Sequence, residues 1–232
     1  MNKWIKLLIA ILLMPTVFWV GVETVGVLVE VLQDFQVAVG LLAGAVLYCV
    51  IHFGGYKFER MYVWAHETTH AVMAMLCGYR VHSITVHKDS GNVKMDRYNT
   101  AVVLAPYFVP FYAILTGLLY LAIDLFVDAQ PYRSAFVFVV GFFMAFHFVQ
   151  TFQTLWEVDQ PDLKLAGGRI FSTVMIILCN ALVLILVLKL LFPQRVHLWQ
   201  LITTVGSGTW KVWRYVAQLV WSWFETTPAQ TV

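Results

Sequence analysis

Five apolar stretches recur along this 232-residue chain, at about residues 4–31, 36–53, 100–126, 134–156 and 169–192. Each falls within or above the roughly 17–25 residues that a helix needs to cross about 30 Å of hydrocarbon. Hydrophobic residues make up 60% of the chain and charged ones 12%, with a mean hydropathy of +0.76. That is more apolar surface than one water-soluble core of this size can use, so lipid is the bulk solvent. In lipid each spanning segment must satisfy its own backbone, which selects helices. A weaker helical stretch over 58–78 joins the five, so the expectation is an all-α polytopic membrane protein with about six membrane helical segments.

The remaining segments read differently. After Gly78, alternation through Val81–Val86, a polar turn at Asp89–Asn92 and then Val93–Asp96 predict a short β-hairpin behind the weak helix. Pro106 and Pro110 should break the 100–126 span. Such a break either faces a site or is a packing kink. From Trp199 to Phe224, Trp210, Trp213, Ala217, Trp221 and Phe224 share one helical face, opposite Lys211, Arg214, Gln218, Ser222 and Glu225. This predicts a C-terminal interfacial amphipathic helix, with Gly206–Thr209 leading into it. Residues 1–198 then form the membrane-embedded domain and 199–232 an interfacial tail.

Charge narrows the function. The net charge is +2 with no Lys/Arg cluster, which excludes a nucleic-acid surface. Cys49, Cys77 and Cys179 are odd in number and sit in apolar contexts, so they read as packing residues rather than a disulfide framework. Lys3 and Lys6 precede an apolar run that continues past Pro15 without a small-residue cleavage site, and it reads as a retained first span. These lysines favour a cytoplasmic N-terminus, and two spans return the chain to that side at Lys57 and Arg60. The basic hairpin prefers the same side, so both flanks of the 58–78 helix ask for one face of the membrane. Either that helix is partly re-entrant or the charge rule fails at one flank.

The 58–78 helix carries His66-Glu67-Thr68-Thr69-His70, an HExxH motif. Positions i and i+4 lie about 40° apart around a helix, so both imidazoles can reach one Zn²⁺ at about 2.0–2.1 Å. Glu67, beside the first imidazole, can act as general base toward a water activated by the ion. Burying two histidines and a glutamate in lipid is costly without such a purpose. A catalytic zinc takes three protein ligands, and no third His or following Glu stands at the spacings of soluble zincins. Asp159 and Asp162, just before the last span, are the candidates for the third.

With its HExxH on a membrane helix, a hairpin after it, a proline-interrupted span and a downstream Asp in a Gly-containing segment, the chain resembles the site-2 protease family of intramembrane zinc metalloproteases, particularly small bacterial members. The resemblance covers about residues 55–185. It implies His66, His70 and Asp162 as ligands of one zinc per chain and Glu67 as the catalytic base. Two departures stand against the family pattern: Thr69 replaces the Gly often found before the second His, and Pro161-Asp162-Leu163 replaces Leu-Asp-Gly. The activity implied is hydrolysis of peptide bonds in membrane-associated protein or peptide substrates, in a bacterial cytoplasmic membrane. The alternative is a non-proteolytic zinc-binding membrane chaperone, sensor or assembly factor, and retention of Glu67 weighs against it because ligation alone does not need that residue.

Other polar residues are discounted. His147, Gln150, Thr151 and Thr154 form an i, i+3, i+4, i+7 stripe, expected to face the bundle interior, with an interhelical hydrogen bond the commoner use of His147. His82 and His87 sit five apart on strand spacing and do not ligate together. His52 and His197 read as interfacial. The hairpin is either a connector or an edge to which an extended substrate could add.

Overall fold

The computed structural model describes residues 2–157 and 160–225. Helix α1 spans Lys3–Leu32 and α2 spans Phe35–Phe53. Helix α3, Glu59–Leu76, carries the HExxH motif and leads into strands β1, Val81–Val86, and β2, Gly91–Met95. A short α4, Thr100–Leu104, tightens into a 3₁₀ turn over Ala105–Tyr107 and is followed by α5, Phe111–Asp124. The remaining helices are α6, Arg133–Glu157, α7, Pro161–Ala166, α8, Arg169–Leu191, and α9, Leu198–Glu225. Helices α1, α2, α6 and α8 are long and apolar enough to cross a membrane. The α4–α5 pair is a broken fifth segment, bent by 83°.

These helices leave apolar side chains facing outward. Leu8, Leu12 and Phe18 on α1 and Val46 and Val50 on α2 are all exposed, a surface that hydrocarbon covers and that water would not tolerate. Between helices, small residues let backbones meet. A Cβ added at Gly44 would strike the Phe138 carbonyl, and one at Gly141 would strike the Leu41 carbonyl. Helices α2 and α6 therefore pack backbone to backbone, the contact that drives helix association where lipid removes the hydrophobic incentive.

The order of spans fixes the place of α3. Helix α2 runs parallel to α6, with Gly40 beside Ser134 and Val137 and Tyr48 against Phe142 and Phe146, so α3 begins near the C-terminal end of α6. Its own C-terminal turn meets Asn99, whose Nδ2 bonds the Tyr79 hydroxyl at 3.3 Å. Asn99 caps α4, and Thr100 reaches the Ala166 carbonyl, which Lys6 also holds. Both ends of α3 thus lie at the end of the bundle that carries the N-terminus, and the helix does not cross. Both basic flanks of the helix therefore lie at one end of the bundle.

The hairpin differs in detail from expectation. Gly91 and Asn92 are already in β2, paired with Val86 and Thr85, and the turn closes earlier, with the His87 N–H donating to the Ser90 carbonyl at 2.8 Å. His52 is buried within the bundle, bonded to the Tyr48 hydroxyl at 3.1 Å. Gly206–Thr209 lies inside α9 and does not precede it, and the Trp19 indole of α1 lies on Gly208, where a Cβ would strike the ring. The first half of α9 packs along α1. From Arg214 to Phe224 its side chains are exposed, so the two amphipathic faces there are uncovered by the bundle.

Candidate metal centre

Helical spacing sets the first pair. His66 and His70 project from one face of α3, and their Nε2 atoms lie 3.2 Å apart. The third group arrives from α7. Pro161 occupies the first turn of that helix, where its fixed φ and missing N–H cost nothing, and it delivers Asp162 as the next residue. Asp162 Oδ2 stands 3.5 Å from His66 Nε2 and 3.6 Å from His70 Nε2. These three residues are a group that could hold a metal ion, with ligand atoms all within 4.8 Å of one another. Bonds of 2.0–2.1 Å in a tetrahedral site place ligand atoms about 3.3 Å apart, and the observed triangle has edges close to that length. Nitrogen, nitrogen and carboxylate oxygen form a donor set suited to zinc, with one face of the tetrahedron left for water or substrate. Asp159 lies outside the described residues.

Two of the three donors are oriented by hydrogen bonds, whereas His66 Nδ1 is buried without a hydrogen-bond partner among the described residues. His70 donates from Nδ1 to the Val102 carbonyl at 2.8 Å, which leaves the Nε2 lone pair of the neutral ring directed at the cluster. That carbonyl is available for a reason visible in the chain: four residues on, where a helical donor would stand, is Pro106, which has no N–H. The proline break thus faces the site. Tyr107, fully buried, donates its hydroxyl to Asp162 Oδ2 at 2.9 Å. Its ring meets His66 edge-on at 5.3 Å between centroids. Burial alone would raise the Asp162 carboxyl, but His66 and His70 in their protonated form, with the Tyr107 hydroxyl, hold it well below the usual carboxylate range.

A further layer was legible only in part, through the interhelical hydrogen bond favoured for His147. His147 of α6 bonds Asn180 Oδ1 of α8 at 3.0 Å, and Asn180 Nδ2 donates to the Tyr107 carbonyl at 2.7 Å and to the Ile176 carbonyl at 2.9 Å. His147 therefore serves an interhelical network that ends on Tyr107. Lys6 donates to the Ala166 carbonyl, so the α7 C-terminus is capped by a cation from α1. Besides His147, Asn180 carried a signal as a lone amide in an apolar span and Lys6 as a basic residue near the N-terminus. Nothing in the pattern singled out Tyr107.

Glu67 lies beneath the hairpin. It is 9% exposed, and with His66 it borders an open cleft of about 390 Å³ whose walls include Glu59, Gln150, Thr154 and Gln160. Gly91 covers it so closely that an added Cβ would fall 2.8 Å from Glu67 Cδ and Oε1. This absence of a side chain is what lets β2 lie across the carboxylate. Gly91→Ala should displace either the strand or Glu67, lowering turnover by about 10–100-fold, the scale of a misplacement near 1 Å. Metal content should be unchanged. Equal turnover in a single-turnover cleavage assay would show that the contact does not set the carboxylate's position.

The family described as Peptidase M50B-like matches residues 37–158. No curated protein and no solved structure matches the chain. The matched segment contains His66, Glu67 and His70 and stops short of Asp162, so the match itself does not bear on Asp162. An HExxH helix that dips into one end of a polytopic bundle, and a match covering more than half of the chain, lead to one assignment: the chain belongs to the Peptidase M50B-like family, within the site-2 protease group of membrane metallopeptidases.

Proposed function

We propose that the protein is a zinc-dependent endopeptidase that hydrolyses peptide bonds of membrane-associated proteins or peptides, with His66, His70 and Asp162 as ligands and Glu67 as catalytic base. The observation that carries the reading is the triangle of two imidazole nitrogens and one carboxylate oxygen, with edges of 3.2–3.6 Å, beside a glutamate that faces a cleft. Zinc bound there supplies Lewis acidity for polarising a carbonyl and acidifying water. Glu67 takes the proton of the attacking water and returns it to the leaving amine. The Val102 carbonyl and the Tyr107 hydroxyl keep His70 and Asp162 in place through the cycle.

The cleft opens at the N-terminal end of the bundle, so the substrate reaches Glu67 near a membrane surface. A helical substrate has its carbonyls shielded by its own hydrogen bonds and must unwind to be cut. The hairpin beside the cleft offers an edge for the extended segment. A bacterial cytoplasmic membrane as the location belongs to the same proposal.

Metal analysis of purified protein should find close to one zinc per chain, and a chelator should abolish cleavage of a reconstituted membrane-anchored peptide. Protein without zinc, or cleavage that persists after the zinc is stripped, would overturn the reading. Zinc without cleavage would favour a binding protein.

A further inference from the structure

At the end of the bundle opposite the metal centre, the α1–α2 turn, the start of α6 and the segment after α8 enclose a cavity of about 410 Å³. Two arginines and one aspartate line it: Arg133, Arg195 and Asp34. Arg195 is engaged twice, donating to the Glu30 carbonyl at 3.2 Å and to Asp34 Oδ2 at 3.4 Å. Arg133 donates to the Leu191 carbonyl at 2.9 Å and lies 5.2 Å over the Phe192 ring. Among the described residues Arg133 has no carboxylate partner. A guanidinium carries five N–H donors, so both arginines keep donors for the cavity, and the three charges leave it one positive charge in excess.

This chamber continues into an apolar crevice. Tyr120, Leu190 and Leu191 line both the chamber and a slot of about 80 Å³ between α5, α6 and α8. The slot is walled by Gly117, Leu118, Val140 and Val187. A Cβ at Gly117 would meet nothing within 4 Å. Leu118 and Leu190 are 58% and 70% exposed, so the slot opens sideways toward hydrocarbon. A basic chamber at the membrane end, continuous with a lateral apolar slot, has the polarity sequence of a phospholipid.

We propose that this is a binding site for one anionic phospholipid, its phosphate bonded by Arg133 and Arg195 and the first part of an acyl chain lying along Gly117 between α5 and α8. A fork of guanidinium donors suits phosphate oxygens, and an unpaired arginine at this depth gains from an anion. The site is independent of the chemistry at Glu67.

The test is native mass spectrometry of the full chain in neutral detergent, titrated with phosphatidylglycerol, with phosphatidylcholine of the same acyl chains, or with inorganic phosphate. One phosphatidylglycerol should be retained per chain, in preference to phosphatidylcholine. Arg133→Gln should weaken it about tenfold, the loss expected for one charge-assisted contact, while Arg133→Lys keeps most of the preference. Gly117→Leu should weaken lipid retention with both arginines intact. Because Arg133 also caps α8, the melting temperature without lipid reports folding, and if Arg133→Gln does not fold, Arg195→Gln and Gly117→Leu decide the matter. Equal retention of the two lipids, or no effect of Gly117→Leu together with the arginine variants, would overturn the proposal. Displacement by inorganic phosphate at the lipid's own concentration would do so as well, by reducing the site to an anion pocket.

Discussion

Glu67→Gln should keep its zinc and lose turnover by about 10²–10⁴-fold, the range over which a positioned general base contributes. The amide has the shape of the carboxylate and fits beneath Gly91, where space is tight enough that an added Cβ would collide. It cannot accept the proton of an attacking water. Because Glu67 is not one of the three residues that converge on the candidate ion position, metal content should be independent of the change. The measurement is zinc stoichiometry beside single-turnover cleavage of a membrane-anchored peptide. Parental turnover in this variant would remove Glu67 from the reaction, and loss of zinc would mean that it contributes to the metal site.

Asp162→Asn should lower zinc affinity by at least about 100-fold, more than the 10–100-fold usual for loss of a group that only orients a ligand. A neutral amide is a poor zinc donor, and Oδ2 of Asp162 is the oxygen that faces both imidazoles at 3.5 and 3.6 Å. Tyr107→Phe supplies the graded comparison. It removes the 2.9 Å hydrogen bond to that oxygen but leaves the carboxylate in place, so its loss should fall within the smaller range. Asp159→Asn should leave zinc binding near the parental value. A competition titration against a chromophoric chelator reads all three. A drop for Asp159→Asn with none for Asp162→Asn would transfer the ligand to the segment before α7.

Much of the architecture is legible in the amino-acid sequence alone. The five apolar stretches near 4–31, 36–53, 100–126, 134–156 and 169–192 correspond to α1, α2, the bent α4–α5 pair, α6 and α8 within a few residues at each end. Such agreement is expected where a segment must be apolar throughout and must satisfy its backbone internally, because both demands act on local sequence. The pairing of His66 with His70 is equally local, since helical periodicity alone puts i and i+4 on one face.

What only the tertiary structure decided lies wherever two distant segments meet. Helical spacing says nothing about whether Asp162, ninety-two residues after His70, comes to the same point; the packing of α7 against α4 and its anchoring by Lys6 bring it there. Pro106 announces a break in the sequence, but its chemical consequence, a Val102 carbonyl left for His70, requires α4 to lie against α3. The side chain missing at Gly91 matters only because β2 lies across Glu67. Periodicity and hydropathy are properties of a segment and its solvent, and so they can be read from one chain. A candidate metal centre built from a short helix opened by proline, a broken apolar segment and the HExxH helix depends on relative positions that no single segment encodes.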